Sequence, residues 1–310
     1  MKENLTASSP AISVRDLSKS YGSVIALDGV SFDVRRGELF GLIGPDGAGK
    51  TTLFRLLTTL INPDRGEASV DGLDIVKDYS KIRQRVGYMP GRFSLYPDLT
   101  VEENLAFFAA LFHVKIADNY ELIAPIYRQI EPFRKRKAGN LSGGMKQKLA
   151  LSCALIHRPS VLFLDEPTTG VDAVSRNEFW EMLSTLKQER ISILVSTPYM
   201  DEASRCDRVA LINNGHLLAI DPPQAIVDSF EEPLYALSGE NMFGLLKAIR
   251  NNPKILQGYP CGQTHHLVTT PDFNASEWVE QLTVQGFRNV SIHPIRANIE
   301  DVFIKRMENE

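Results

Sequence analysis

One loop limits what this chain can fold into more than any other feature: Gly44-Pro45-Asp46-Gly47-Ala48-Gly49-Lys50-Thr51 fits the pattern G-x-x-x-x-G-K-[ST]. Before it, Glu38 to Gly44 (ELFGLIG) is a short apolar run ending in glycine. After it, Lys50 to Leu60 (KTTLFRLLTTL) places Leu53, Leu56, Leu57 and Leu60 at helical spacing. Strand, glycine loop and helix follow in the order that phosphate binding needs. The glycines let the backbone bend closely enough for its N–H groups to point inward at phosphate oxygens. The N-terminus of the following helix adds a favourable dipole. In this setting the Lys50 ammonium reaches β- and γ-phosphates and the Thr51 hydroxyl binds Mg²⁺. A glycine turn with a solvated lysine is the competing reading, and the flanking strand and helix argue against it.

A second acidic site matches the first. VLFLD (161–165) is an apolar strand whose last residue is Asp165, with Glu166 next. A carboxylate at a strand end, beside the loop after another strand, can hold Mg²⁺ directly or through water, leaving Glu166 to polarise an attacking water. Alone, such a pair is common at the surface of any α/β protein.

Composition sets the outer bounds. The 310 residues are 43% apolar and 23% charged, ordinary for a soluble globular chain of about two domains. The net charge of −4 gives no general basic attraction to nucleic acid. Residues 1–227 hold 27 basic and 27 acidic groups, so the acidic excess lies in the tail. Cys153, Cys206 and Cys261 form an odd, widely spaced set that excludes a disulfide scaffold and a Cys-rich zinc site and suits a reducing cytosol. The apolar run Leu105–Phe112 is far below the ~20 residues that span a bilayer. MKENLTASSP lacks a signal-peptide apolar region, and the expectation is a chain that does not cross a membrane by itself.

Along the chain, IAL (25–27) and VSFDV (30–34) alternate like antiparallel strands, and 66–76 reads as strand and turn. From about 92 to 158 the pattern is largely helical, with helices over 103–114 and 144–157. ISILVS (191–196) reads as a central parallel strand, RVALINN (208–214) as another. Ser175 to Arg190 reads as a helix capped by Ser175 and Glu178. Asp221-Pro-Pro and EEP (231–233) mark a boundary. Beyond it come strand 234–238, helix 241–250, strands 255–259 and 266–270, helix 276–285, strand 288–293 and a closing helix 299–308. Its first six elements run in the βαββαβ order of a ferredoxin-like unit.

Leu141-Ser-Gly-Gly-Met-Lys-Gln-Lys148 is the decisive stretch. Ser142, Gly143 and Gly144 open a helix whose exposed N–H groups form another anion site. With this motif, 24 positions before Asp165, the sequence resembles the nucleotide-binding subunit of an ATP-binding cassette (ABC) transporter over about residues 10–225. The resemblance implies an α/β sheet of the P-loop NTPase class with an inserted helical subdomain, residues 1–227 in all, followed by a small α+β domain over 230–310. It implies that ATP contacts the loop from Gly44 through Thr52 and stacks on Tyr21 of KSYG. Mg²⁺ falls to Thr51 and Asp165, and catalysis to Glu166. Leu141, Ser142, Gly143 and Gly144 are then offered to the ATP of an opposite subunit, and Asp172 lies in the loop crossing between subunits. A second ATP-binding domain and a separate membrane permease, docked in a groove near residues 91–110, are the partners implied; nucleic acid is not. The location implied is cytoplasmic, peripheral on the inner face of the cell membrane. DLTVEENL (98–105) and the extension ending in IEDVFI resemble exporter ATPases for drugs, lipids or polysaccharides.

Two positions depart from the family. Gly91 stands where the family has Gln, and Pro198 where it has His. Neither offers a side-chain donor, so slow or partner-dependent hydrolysis is expected, with Arg92 and Tyr199 as neighbouring donors. An ATP-holding regulatory subunit of a mixed pair stays open as an alternative. A soluble ATPase acting on ribosomes or DNA fits less well, because the chain has one glycine loop and no long coiled coil. Arg134-Lys-Arg-Lys137 reads as a solvated loop. His265 and His266, neighbours on a strand, should face opposite ways and make a poor metal pair. His113, His157, Phe107, Phe108 and Leu111 read as packing residues.

Overall fold

The computed structural model describes residues 9–92 and 94–307. The leader before residue 9, Phe93 and the last residue of the closing helix expected over 299–308 lie outside the described residues. The chain forms two compact units that divide between Pro223 and Gln224.

The first unit opens with β1 (Ile12–Tyr21) and β2 (Val24–Val34), paired as an antiparallel hairpin, then β3 (Leu39–Ile43), the glycine loop and α1 (Lys50–Leu57). β4 (Arg65–Val70), β5 (Leu73–Asp74), α2 (Tyr79–Arg85) and β6 (Val86–Met89) follow. The helical insertion holds α3 (Val101–Leu111), α4 (Ile116–Tyr127) and α5 (Gly143–Leu155). The chain returns through β7 (Val161–Asp165), α6 (Ala173–Gln188), β8 (Ser192–Thr197), β9 (Arg208–Asn213) and β10 (His216–Asp221), and α7 (Pro223–Asp228) spans the division. Two sheets result: an antiparallel one in the order β2-β1-β4-β5, and a six-stranded one in the order β10-β9-β3-β8-β7-β6. In the second, β9-β3-β8-β7-β6 are parallel and only the β10 edge is antiparallel.

The parallel strands are buried along their lengths, which is why β3, β7 and β8 read as unbroken apolar runs. Leu53, Phe54, Leu56 and Leu57 of α1 join one core with Ile12 and Leu17 of β1, Leu27 and Phe32 of β2, and Phe163 of β7. That core fixes α1, and with it the glycine loop, against both sheets.

Local chemistry explains where helices begin. Thr100 caps α3 through a capping box with Glu103. Asp172 caps α6 by accepting from the Ser175 N–H at 3.0 Å. The expected Ser175–Glu178 cap is therefore displaced by three residues, and Glu178 instead binds Lys148 of α5 at 2.7 Å. Other expectations also fail. β1 (Ile12–Tyr21) has no counterpart among the expected strands, and 25–27 with 30–34 form one strand. Phe107 and Leu111 are exposed, and Phe108 is half-buried. His113 is exposed in the left-handed region (φ +56°) as α3 ends, whereas His157 does pack, stacked on Phe112 at 3.7 Å.

The second unit contains β11 (Leu234–Ser238), α8 (Met242–Arg250), β12 (Ile255–Cys261), β13 (Thr264–Thr269), α9 (Ala275–Val284), β14 (Ser291–Pro294) and α10 (Ile299–Met307). Its antiparallel sheet runs β12-β13-β11-β14, the strand order of a ferredoxin-like unit. Leu245, Ile249, Trp278 and Leu282 of α8 and α9 cover one face with Leu237 and Leu267. On the other face Ile304 of α10 packs against Leu234, Tyr259 and Val268. His265 and His266 separate as strand alternation requires: His265 Nε2 meets the Met242 carbonyl, and His266 Nδ1 meets Asp301.

Candidate nucleotide site

The glycine loop turns between β3 and α1 in a conformation only glycine fits. Gly49 has φ +104°, and a Cβ there would lie 2.4 Å from the Ala26 carbonyl oxygen. Helix α1 has no side-chain cap at Gly49 and no acidic residue in its first turn. Among the described residues, its first N–H groups thus have no capping side chain of the kind most helices recruit.

Lys50 is 3% exposed; its ammonium donates to the carbonyls of Gly44 (2.8 Å) and Pro45 (2.9 Å) and pairs with Glu166 at 3.1 Å. Thr51 Oγ1 lies 3.3 Å from Asp165 Oδ1. Ser196, at the end of β8, donates its hydroxyl to Asp165 Oδ1 at 2.8 Å and accepts the Glu166 N–H at 3.0 Å. Burial pushes the Asp165 carboxyl above its ordinary range, while the Ser196 and Thr51 hydroxyls pull it back. Glu166 has φ +51°, a left-handed conformation that costs a non-glycine residue about 1–2 kcal/mol. Bonds from its N–H to Ser196 and from the Thr169 N–H to its carbonyl (3.2 Å) hold it there. The structure brings together Lys50, Thr51, Asp165 and Glu166, four of the residues the sequence motifs single out. Sequence reading misses Ser196, which only the pairing of β7 with β8 brings to Asp165.

Tyr21 ends β1 and is 46% exposed, and across the hairpin Val24 and Ile25 are exposed apolar residues. Ala26, next in β2, touches Gly49, so this apolar hairpin end borders the glycine loop. Sequence reading misses Val24 and Ile25, although aliphatic residues so soon after a candidate stacking ring are a signal.

Ser142 caps α5 by accepting from the Met145 N–H. A Cβ on Gly144 would lie 2.7 Å from Ser175 Oγ, and one on Gly143 would lie 3.6 Å from the Gly170 carbonyl oxygen. The LSGG turn therefore sits against the loop that leads through Asp172 into α6. Helix capping holds the Asp172 carboxyl below the usual range. Gly91 backs onto the acidic pair: a Cβ would meet the Asp165 carbonyl oxygen at 3.0 Å and Glu166 Cβ at 3.8 Å. Arg92 is exposed and makes no hydrogen bond or ion pair among the described residues, and the Tyr199 ring lies under the Arg176 guanidinium at 4.3 Å. Among the described residues, the contacts made by Arg92 and Tyr199 do not reach Lys50, Asp165 or Glu166. A groove of about 280 Å³ lies between β6 and the helical insertion, lined by Tyr88, Met89, Leu95, Phe108, Phe112 and His157.

A parallel sheet with a glycine loop at a strand end, a buried lysine, and a strand-end Asp–Glu pair defines a P-loop nucleotide-binding protein. The family described as ABC transporter matches residues 27–169. Over 221 residues the chain is 42% identical to the Nod factor export ATP-binding protein I of Burkholderia orbicola AU 1054, spanning 70% of this chain and 73% of that protein. It is 41% identical over 220 residues to the probable multidrug ABC transporter ATP-binding protein YbhF of Escherichia coli K12, spanning 70% of this chain but only 38% of that protein's length. A solved ATP-binding subunit of an ABC transporter superposes with TM-score 0.65 at 31% identity, covering 71% of this chain and 93% of that one. A dimeric cassette bound to ADP and Pi shares the fold, with TM-score 0.62 at 23% identity over 68% of this chain and 98% of that one. This chain belongs to the ATP-binding proteins of ABC transporters, an ATPase family. Among the described residues no helix is long and apolar enough to cross a membrane.

Proposed function

We propose that this chain binds ATP with Mg²⁺ in the glycine loop, closes on a second ATP-binding domain, and reopens on hydrolysis to power a separate permease for export. The observation that carries the reading is the convergence of Lys50, Thr51, Asp165 and Glu166 at an uncapped helix N-terminus. Free N–H groups and a desolvated ammonium form a site for a polyanion. Without nucleotide, Glu166 supplies the counter-charge to Lys50. Thr51 and Asp165 are an oxygen pair suited to a hard cation, and Mg²⁺ held there would neutralise charge on the phosphates. Glu166, freed from Lys50 by the triphosphate, is placed to accept a proton from the attacking water. Tyr21, with Val24 and Ile25, offers a face to the adenine.

The packing of LSGG against the Asp172 loop supports the pairing of two subunits, each completing the other's site. The groove beside β6 supports docking of a permease helix, which would hold the chain at the inner face of the cell membrane. Names of relatives, multidrug and Nod factor export, support export of a drug, lipid or polysaccharide. Gly91 and Pro198 favour a second reading, an ATP-holding subunit that regulates a more active partner. ATP turnover of the purified chain, with Glu166→Gln as reference, separates the two. We expect the variant to lose about 10²-fold or more. Equal traces in both proteins, with ATP still bound, move the assignment to the regulatory reading.

A further inference from the structure

Glu202, on the 3₁₀ turn Met200–Arg205, is 3% exposed. A carboxylate is costly to bury unless its oxygens are hydrogen-bonded, and the bonds Glu202 makes go to segments that border the proposed ATP site. Oε2 accepts from Thr168 Oγ1 at 3.1 Å and from Thr197 Oγ1 at 2.5 Å, and Oε1 accepts from Arg176 Nε at 3.1 Å. Thr168 lies two residues after Glu166. Thr197 ends β8, immediately before Pro198. The Arg176 N–H donates to the Asp172 carbonyl at 2.9 Å. Arg176 also pairs with Asp201 at 3.0 Å and covers the Tyr199 ring, while the Tyr199 N–H donates to Thr197 Oγ1 at 3.0 Å.

We propose that Glu202 and Arg176 are positioning residues for ATP turnover, locking the Asp172 loop, the Pro198 turn and the Glu166 loop into one unit. The inference rests on the ATPase reading above. Its physical content is transmission: contact of Asp172 with a second subunit is passed through Arg176 and Glu202 to the strained backbone that aims the Glu166 carboxylate. Such a linkage matters more in this chain than it would beside a Gln and a His. Gly91 and Pro198 supply no side-chain donor, so the orientation of Glu166 depends on its own loop. Neither Glu202 nor Arg176 touches the nucleotide in this account, so neither sets ATP affinity.

The test is steady-state ATPase kinetics of the full chain for wild type, Glu202→Gln, Arg176→Ala and Arg176→Lys, with the thermal midpoint of each. Glu202→Gln keeps the shape and an acceptor for the two threonines, but turns a donor towards Arg176 Nε and severs that link. We expect kcat to fall about 10- to 100-fold in Glu202→Gln and Arg176→Ala, with KM for ATP within about twofold of wild type. Arg176→Lys should recover part of the rate, because a cation remains beside Glu202 and Asp201. An unchanged kcat, or a fall in kcat matched by a rise in KM and a collapse of the thermal midpoint, overturns the inference. An active wild type with unaffected variants sinks this inference alone. A wild type no faster than Glu166→Gln sinks the ATPase reading, and the positioning role with it.

Discussion

At the scale of single residues, Gly91 and Pro198 are two positions that offer the proposed site no side-chain donor. Gly91 lies against the Asp165 carbonyl, so a side chain there would emerge beside the acidic pair, at a Cβ distance of 3.0 Å that asks for a shift of a few tenths of an ångström. Pro198 follows Ser196 and Thr197, whose hydroxyls already hold Asp165 and Glu202. If each absent contact behaves as a missing transition-state donor, each costs up to about 10²-fold in turnover. Gly91→Gln combined with Pro198→His is therefore expected to raise the basal ATPase rate by at least about tenfold. An equal or lower rate in the double variant would show that the site is built to work without those donors.

At the scale of elements, two packing arrangements have measurable consequences. His157 closes the groove beside β6, with Nε2 on the Val86 carbonyl at 3.1 Å and its ring stacked on Phe112. Burial lowers its pKa to about 4. The unfolded chain takes up this proton near pH 6.5 while the folded chain resists it, so folding free energy is lost as pH falls from about 6.5 to about 4, by about 3 kcal/mol. Urea unfolding across that range should show the loss, and His157→Gln, which keeps a donor but does not titrate, should flatten the slope. In the second unit, fully buried Asp301 accepts from the Tyr259 hydroxyl (2.8 Å) and the Asn298 N–H (2.7 Å) and pairs with His266 (2.6 Å). Asp301→Ala strands those partners and releases α10 from the sheet, and should cost about 3 kcal/mol or more in denaturant stability. A loss below about 1 kcal/mol would mean that apolar contacts alone hold α10.

Elements also show what the sequence made legible. β3, β7 and β8 are apolar from end to end because both faces are covered, and they read directly from their letters. β1 does not, because register shifts between Val14 and Leu17 and again beyond Leu17 break its alternation, so a ten-residue strand goes unread in its letters. The letters place the start of α6 three residues late, because Asp172 and Ser175 are both good caps and only backbone geometry chooses between them. In α3, Phe107 and Leu111 follow helical spacing, yet they face solvent: their apolarity marks a surface, which periodicity cannot distinguish from a core. The four residues meeting at the glycine loop were legible because their motifs fix local backbone. Ser196 and Glu202 were not, since strand pairing and a 3₁₀ turn bring them in from distant sequence.

At the scale of the whole molecule, two compact units share one chain, and the ATP chemistry proposed here belongs to the first. In that unit α1 starts without a side-chain cap and α5 starts with Ser142 as its cap, and we assign the first helix N-terminus to the chain's own nucleotide and the second to a partner's. The claim beneath all of this is that the backbone of residues 44–51 and the Lys50 ammonium hold a triphosphate. Titration calorimetry of the purified full chain with ATP and Mg²⁺ tests it most directly. We expect saturable uptake by wild type and at least about tenfold weaker binding by Lys50→Ala, the loss of about 1.4 kcal/mol or more that follows when a buried charge-assisted contact is removed. No uptake by wild type, or equal affinity in Lys50→Ala, would contradict it.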